Sequence, residues 1–200
     1  MNLPNKITVT RIILSICTLV FLVLPWYQFG ISFPMFTFLG KVVVDTKYVI
    51  AGLLFIVASV TDFLDGYIAR SKNLVTDFGK VMDAIADKIL VNGVLIILAY
   101  NGFINIAIPI IIIVRDTFVD SIKMVSGNNG KVVAASTMGK AKTVCMMIGV
   151  SFMFFYNLPF ELIHLPLADI LIIAACLLSV ISVCCFFWSI FLFNISSPPI

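Results

Sequence analysis

Four carboxylates dominate the chemistry this chain of 200 residues can do. Asp62, Asp65, Asp83 and Asp87 sit at the edges of two apolar segments, in a chain with only 10 acidic residues. Asp62 and Asp65 are three apart and Asp83 and Asp87 four apart, so on helices each pair shares a face. An ionised group inside a membrane segment costs about 2.5–3.5 kcal/mol at the bilayer centre even on the lenient insertion scale, and is a functional-site hypothesis by default. Crowding four of them adds repulsion, which two divalent cations would neutralise. A donor set of oxygens, without His or Cys, favours a hard ion such as Mg²⁺, Mn²⁺ or Ca²⁺. Two such ions suit phosphoryl chemistry, where they stabilise both the attacking and the leaving oxygen.

The residues between the aspartates fit that reading. Gly66 and Ala69 lie on the stripe of Asp62 and Asp65, Arg70 borders it, and Gly79 extends the Asp83–Asp87 face by one turn. Alone, each glycine reads as close helix packing. Beside four carboxylates they read as room for a substrate, and Arg70 as a phosphate clamp rather than a topology-setting charge.

The elements that must position these groups are membrane helices. Hydrophobic residues make up 62% of the chain and charged residues 12%, and the mean hydropathy is +1.16. Soluble domains are about half apolar and about a quarter charged. We expect a single all-α membrane domain over residues 1–200. Six apolar segments are candidate spans: Ile7–Trp26, Tyr48–Ile68, Met82–Tyr100, Phe103–Met124, Thr143–Tyr156 and Leu167–Phe193, the fifth being short unless its helix begins nearer Gly139. The short connection between the second and third makes them antiparallel neighbours whose carboxylate pairs converge. Segment 29–46 reads as an interfacial loop or a short re-entrant piece.

The cations set the orientation. With the N-terminus in the cytoplasm, Lys6, Arg11, Arg70, Lys72, Lys80, Lys88, Arg115, Lys123, Lys131, Lys140 and Lys142 fall inside, and only Lys41 and Lys47 outside. Both termini and all four aspartates are then cytoplasmic, and Asp45, Glu161 and Asp169 lie on the outer side. The first segment lacks a cleavage-site pattern and reads as a retained anchor. The net charge of +3 is dispersed and without an aromatic-basic surface, which argues against nucleic acid. Cys17, Cys145, Cys176, Cys184 and Cys185 lie in apolar runs without metal-ligand spacing, and His164 sits in a loop.

The run from Asp62 to Asp87, DFLDGYIARSKNLVTDFGKVMDAIAD, resembles the signature D-x2-D-G-x2-A-R-x8-G-x3-D-x3-D of the CDP-alcohol phosphotransferase family at every fixed position. The resemblance implies transfer of a phospho-group from a CDP-linked donor to an alcohol, with release of CMP. It implies that Asp62, Asp65 and Asp83 hold one metal ion and that Asp62, Asp83 and Asp87 are positioned for a second, Mg²⁺ or Mn²⁺. Asp87 is also implied as the base on the acceptor hydroxyl. Gly66, Ala69, Arg70 and Gly79 are implied to contact the CDP moiety, together with Asp62, Asp65 and Asp83. A homodimer is implied as well.

Within the family, Asn2-Leu3-Pro4-Asn5-Lys6-Ile7-Thr8 with Arg11, Ala86-Asp87-Lys88, Arg115-Asp116 and the stretch Ser136 to Thr143 resemble bacterial phosphatidylglycerophosphate synthases. That branch uses CDP-diacylglycerol and glycerol 3-phosphate. An anionic acceptor needs cations, and Arg115, Lys140 and Lys142 are the candidates, with Thr8, Arg11 and Lys131 behind them. The plainer reading of any one lysine is an ordinary cytoplasmic charge. Asp77 reads as a helix cap or a nucleotide contact. Asp116 and Asp120 read as ion-pair partners of Arg115 or Lys123. Synthases of cardiolipin, phosphatidylserine or phosphatidylinositol phosphate are alternatives within the family. A divalent-cation transporter and a structural membrane protein are the alternatives outside it.

Overall fold

The computed structural model describes residues 3–71, 77–128 and 137–196. Among them are six α-helices: α1 (Leu3–Val23), α2 (Thr46–Ser71), α3 (Asp77–Tyr100), α4 (Ala107–Asn128), α5 (Thr137–Phe154) and α6 (Leu167–Ser196). They coincide with the six apolar segments, each helix running past its segment at one end at least. Asp62 therefore lies nine residues from the end of α2, roughly 13 Å of helix.

Local chemistry fixes the helix ends. Asp45 caps α2, its Oδ1 accepting the Lys47 backbone N–H at 2.8 Å. Asn105 Oδ1 accepts the Ala107 N–H at 2.9 Å at the start of α4. Gly102 closes α3 at φ +77°. There the Phe103 N–H donates to the Leu98 carbonyl and the Gly102 N–H to that of Ala99, a glycine-terminated helix end. Asn157, buried, joins α5 to α6: Oδ1 accepts the Ala168 N–H at 3.1 Å, while Nδ2 donates to the Leu165 carbonyl at 2.7 Å and to Glu161 at 3.2 Å.

The helices pack in a closed order. α1 lies against α2 and α3, α2 against α5, α5 against α6, α6 against α4, and α4 against α3. The two motif helices meet each other among the described residues, and α1 packs on both. Glycines allow close approach at three of the joints. A Cβ would fall 2.7 Å from Phe154 Cβ at Gly52, 2.6 Å from Leu19 at Gly93, and 2.9 Å from Ile172 at Gly149.

Burial divides the bundle along its length. One end is filled by Phe55, Leu95, Leu98, Ile112, Phe154 and Ile172. In α1, α3 and α5 the inward polar residues precede this core along the chain; in α2, α4 and α6 they follow it. Alternating helix directions therefore gather them at one end. Meanwhile every helix exposes large apolar side chains, among them Ile13, Val57, Ile96, Ile110, Val144 and Leu177. In α6 the stretch Leu167–Cys184 is long and apolar enough to cross a membrane, and only a third of it is buried within the fold.

Segment 29–46 is a hairpin rather than a loop. β1 (Met35–Phe38) pairs antiparallel with β2 (Val42–Asp45) in the register Met35↔Asp45 to Phe38↔Val42. The β-branched run Val42-Val43-Val44 carries that preference. Val44 is buried, and the Asp45 N–H donates to the Tyr156 hydroxyl at 3.2 Å, fastening the hairpin to the apolar end.

Candidate active site

The polar end is built from one face of each helix. On α1, Thr8, Arg11, Ser15 and Thr18 recur at steps of three and four, so they form one stripe, and all four are buried. The opposite face carries exposed Ile13, Ile16 and Val20. This polarity is inverted relative to a water-soluble helix, where the apolar stripe faces inward.

Arg11, only 1% exposed, directs Nη1 to Oδ1 of Asp62 on α2. The sequence placed Arg11 in the acceptor pocket; the structure pairs it with a motif carboxylate. Asp87 is partly buried on α3. The next residue, Lys88, pairs with Asp120 of α4 on the exposed side, so Asp120 finds its partner on another helix.

Opposite these lies a second cluster, made by α4, α5 and α6. Lys142 is 4% exposed, and its Nζ donates to both oxygens of Asp116 at 2.6 Å. Arg115 Nη1 donates to Asp116 Oδ1 at 2.9 Å, Nε to the Ser179 carbonyl at 3.2 Å and Nη2 to Ser182 Oγ at 2.6 Å. Asp87 lies close enough for its charge to act on Lys142. The structure thus brings Arg115 and Lys142 together at Asp116. Thr8 lies one turn before Arg11, and Lys140 is exposed on α5, outside this network.

Several sequence-derived candidates fall outside the described residues. The side chains of Asp65, Arg70 and Asp83, the surroundings of Ala69, Gly66 and Gly79, and all of Lys131 are among them. Asp65 and Asp83 nevertheless belong to α2 and α3. Among the described residues no three metal-ligating side chains come together. Sequence reasoning missed Ser179 and Ser182. Within the apolar run of α6, their spacing of three, in line with buried Ala168, Ile172 and Ala175, was the available signal.

Comparison with known sequences bears directly on this arrangement. The profile of the CDP-alcohol phosphatidyltransferase family matches residues 1–188. The CDP-diacylglycerol–glycerol-3-phosphate 3-phosphatidyltransferase of Bacillus subtilis is 39% identical over 183 residues, 90% of this chain and 91% of the relative. Proteins of the same name from Rickettsia bellii and Mycoplasma genitalium are 34% and 37% identical. They cover 90% and 76% of this chain, and 91% and 64% of their own lengths. The chain, with the family's aspartates on two helices that share α1 as their support, belongs to the CDP-alcohol phosphatidyltransferase family.

Proposed function

We propose that this protein transfers the phosphatidyl group of CDP-diacylglycerol to glycerol 3-phosphate, giving phosphatidylglycerol phosphate and CMP. Family membership and the names of the relatives carry the reaction class. The observation that carries the acceptor is the pair of cations, partly buried Arg115 and buried Lys142, joined at Asp116, with the charge of Asp87 reaching Lys142. A neutral alcohol needs no such pair; a phosphomonoester does.

Asp62, Asp65, Asp83 and Asp87 are the residues to hold divalent cations. The pairing of Asp62 with a buried guanidinium fits this, because that carboxylate already stands where positive charge is required. Bound Mg²⁺ or Mn²⁺ supplies charge stabilisation to the phosphates during transfer. Asp87 takes the proton from the acceptor hydroxyl as its oxygen bonds to the phosphatidyl phosphorus, and the bond from that phosphorus to the CMP oxygen breaks. Arg115 and Lys142 hold the acceptor phosphate so that its hydroxyl faces Asp87. Arg70, Gly66, Ala69 and Gly79 receive the CDP moiety.

The reading includes six spans, cytoplasmic termini and a cytoplasmic-face site. It is supported by apolar side chains exposed on all six helices and by the eleven cations that fall on one side. A homodimer, checked by the mass of the detergent-solubilised protein, belongs to the same reading. The deciding experiment is CMP release from CDP-diacylglycerol with Mg²⁺ or Mn²⁺. Release that depends on glycerol 3-phosphate is expected; release with serine, inositol phosphate or phosphatidylglycerol instead would assign another acceptor.

A further inference from the structure

The two cations at the acceptor site are not independent. Lys142 Nζ donates to both oxygens of Asp116 at 2.6 Å, and Arg115 Nη1 donates to one of them at 2.9 Å. The cations come from different helices, α5 and α4, and one carboxylate is where they meet. Arg115 also reaches α6, through the Ser179 carbonyl and Ser182 Oγ.

Two features set this cluster apart from a clamp that merely joins helices. The first is charge. Among the described residues, the hydrogen-bonded cluster itself holds two cations and one carboxylate, a surplus of one positive charge where Lys142 is almost wholly buried. A structural ion pair in a low-dielectric site is best balanced one to one, because surplus buried charge is costly. The nearby carboxylate that acts on Lys142 is Asp87, the residue proposed as the base. The second is Ser179. Its hydroxyl is fully buried and has no hydrogen-bond partner among the described residues, although its own carbonyl accepts from Arg115. A buried donor without a partner destabilises the fold in a way that alanine would not. Surplus positive charge and an unengaged hydroxyl side by side call for a polar anion.

We propose that Asp116 is the positioning residue of the acceptor site. It makes no bond to the acceptor; it fixes Arg115 and Lys142 at one point against α6 and sets the charge of the pocket so that an anionic alcohol is selected. This rests on the acceptor assignment made for Arg115 and Lys142.

The test is steady-state kinetics with each substrate varied, on Asp116→Asn, Asp116→Glu, Lys142→Met and the double variant Asp116→Asn/Lys142→Met, with thermal unfolding of the solubilised protein alongside. Asp116→Asn should raise the KM for glycerol 3-phosphate roughly 10-fold or more and that for CDP-diacylglycerol less than about 3-fold. In the Lys142→Met background the same change should add little, since the group it positions is gone. Fully multiplicative effects, an equal rise in both KM values, or a fall in the acceptor KM would each overturn the proposal. The fall would mean that Asp116 competes with the acceptor for the same donors. Asp116→Glu keeps the charge and displaces the carboxylate by one methylene. A rise of a few-fold in the acceptor KM alone is expected from it, and no change overturns the proposal even where the asparagine variant does not fold. If Lys142→Met leaves the acceptor KM unaltered, the acceptor assignment itself fails, and the positioning role with it.

Discussion

The two ends of the bundle use the same six helices in opposite ways. At the apolar end, buried groups are complete. Phe154, Leu95 and Ile172 are closed in by neighbours, and glycines let α2, α3 and α5 press against their partners. The buried polar residue there, Asn157, has three hydrogen bonds and ties α5 to α6. At the polar end, the positions facing the interior carry charge. Arg11 and Asp62 balance, Arg115, Asp116 and Lys142 do not, and the hydroxyls of Ser15 and Ser179 are buried without partners among the described residues. In hydrocarbon, where lipid replaces water outside the helices, close packing holds helices together. The apolar end does that task in full, which leaves the polar end free to keep groups whose partners are substrates and ions.

The comparison breaks most sharply at Asp87. Asp87→Asn keeps the shape and removes the base, so turnover should fall by about 10²–10⁴-fold with the thermal unfolding transition unmoved. Retained turnover would remove Asp87 from the base role. The complementary change is Phe154→Ala. It opens a cavity against Phe55 and Gly52, with ring centroids of the two phenylalanines now 5.8 Å apart. A stability loss of about 2–4 kcal/mol is expected, with both KM values within about 2-fold of wild type. A large change in the acceptor KM without a stability loss would show that the two ends are not separate in function.

The sequence carried the helices well, because each is written as an apolar run bounded by Pro, Gly, Asn or charge. The aspartate spacing also carried the chemistry, since three- and four-residue steps define a face whatever the neighbours are. It did not carry the order of packing. Helices whose polar face turns inward and whose apolar face is exposed, as in α1, have no stripe that names a partner, so the place of α1 against both motif helices was not legible. The pairing of Arg11 with Asp62 across α1 and α2 was for the same reason not foreseen. The hairpin was hidden by reading Phe, Met, Gly and Pro in 29–46 as loop composition, although Val42-Val43-Val44 was on view. Asp116 was legible as an ion-pair partner of Arg115. That it also gathers Lys142 from another helix was not, because 26 residues separate the two.

A smaller effect sharpens the contrast within the polar end. Arg115→Ala removes a charged donor from the proposed acceptor site and the link from α4 to α6. The acceptor KM should rise about 10- to 100-fold, the scale of a charge-assisted hydrogen bond, with the KM for CDP-diacylglycerol changed much less. Equal rises would place Arg115 at the shared phosphates rather than at the acceptor.

Ser179→Ala is the finest probe, because packing and binding predict opposite signs. The hydroxyl is buried and unpartnered among the described residues, so deleting it relieves a desolvation penalty, and the unfolding temperature should hold or rise. Were the serine present only as a small residue at the α4–α6 contact, alanine would serve as well and the kinetics would not move. If the hydroxyl is kept for the acceptor, the acceptor KM should rise about 2- to 10-fold, the scale of one neutral hydrogen bond, while kcat at saturating acceptor changes little. A stabilised protein that binds its acceptor less well is the signature of a polar group maintained for a ligand. It would carry the difference between the two ends of the bundle down to a single oxygen atom.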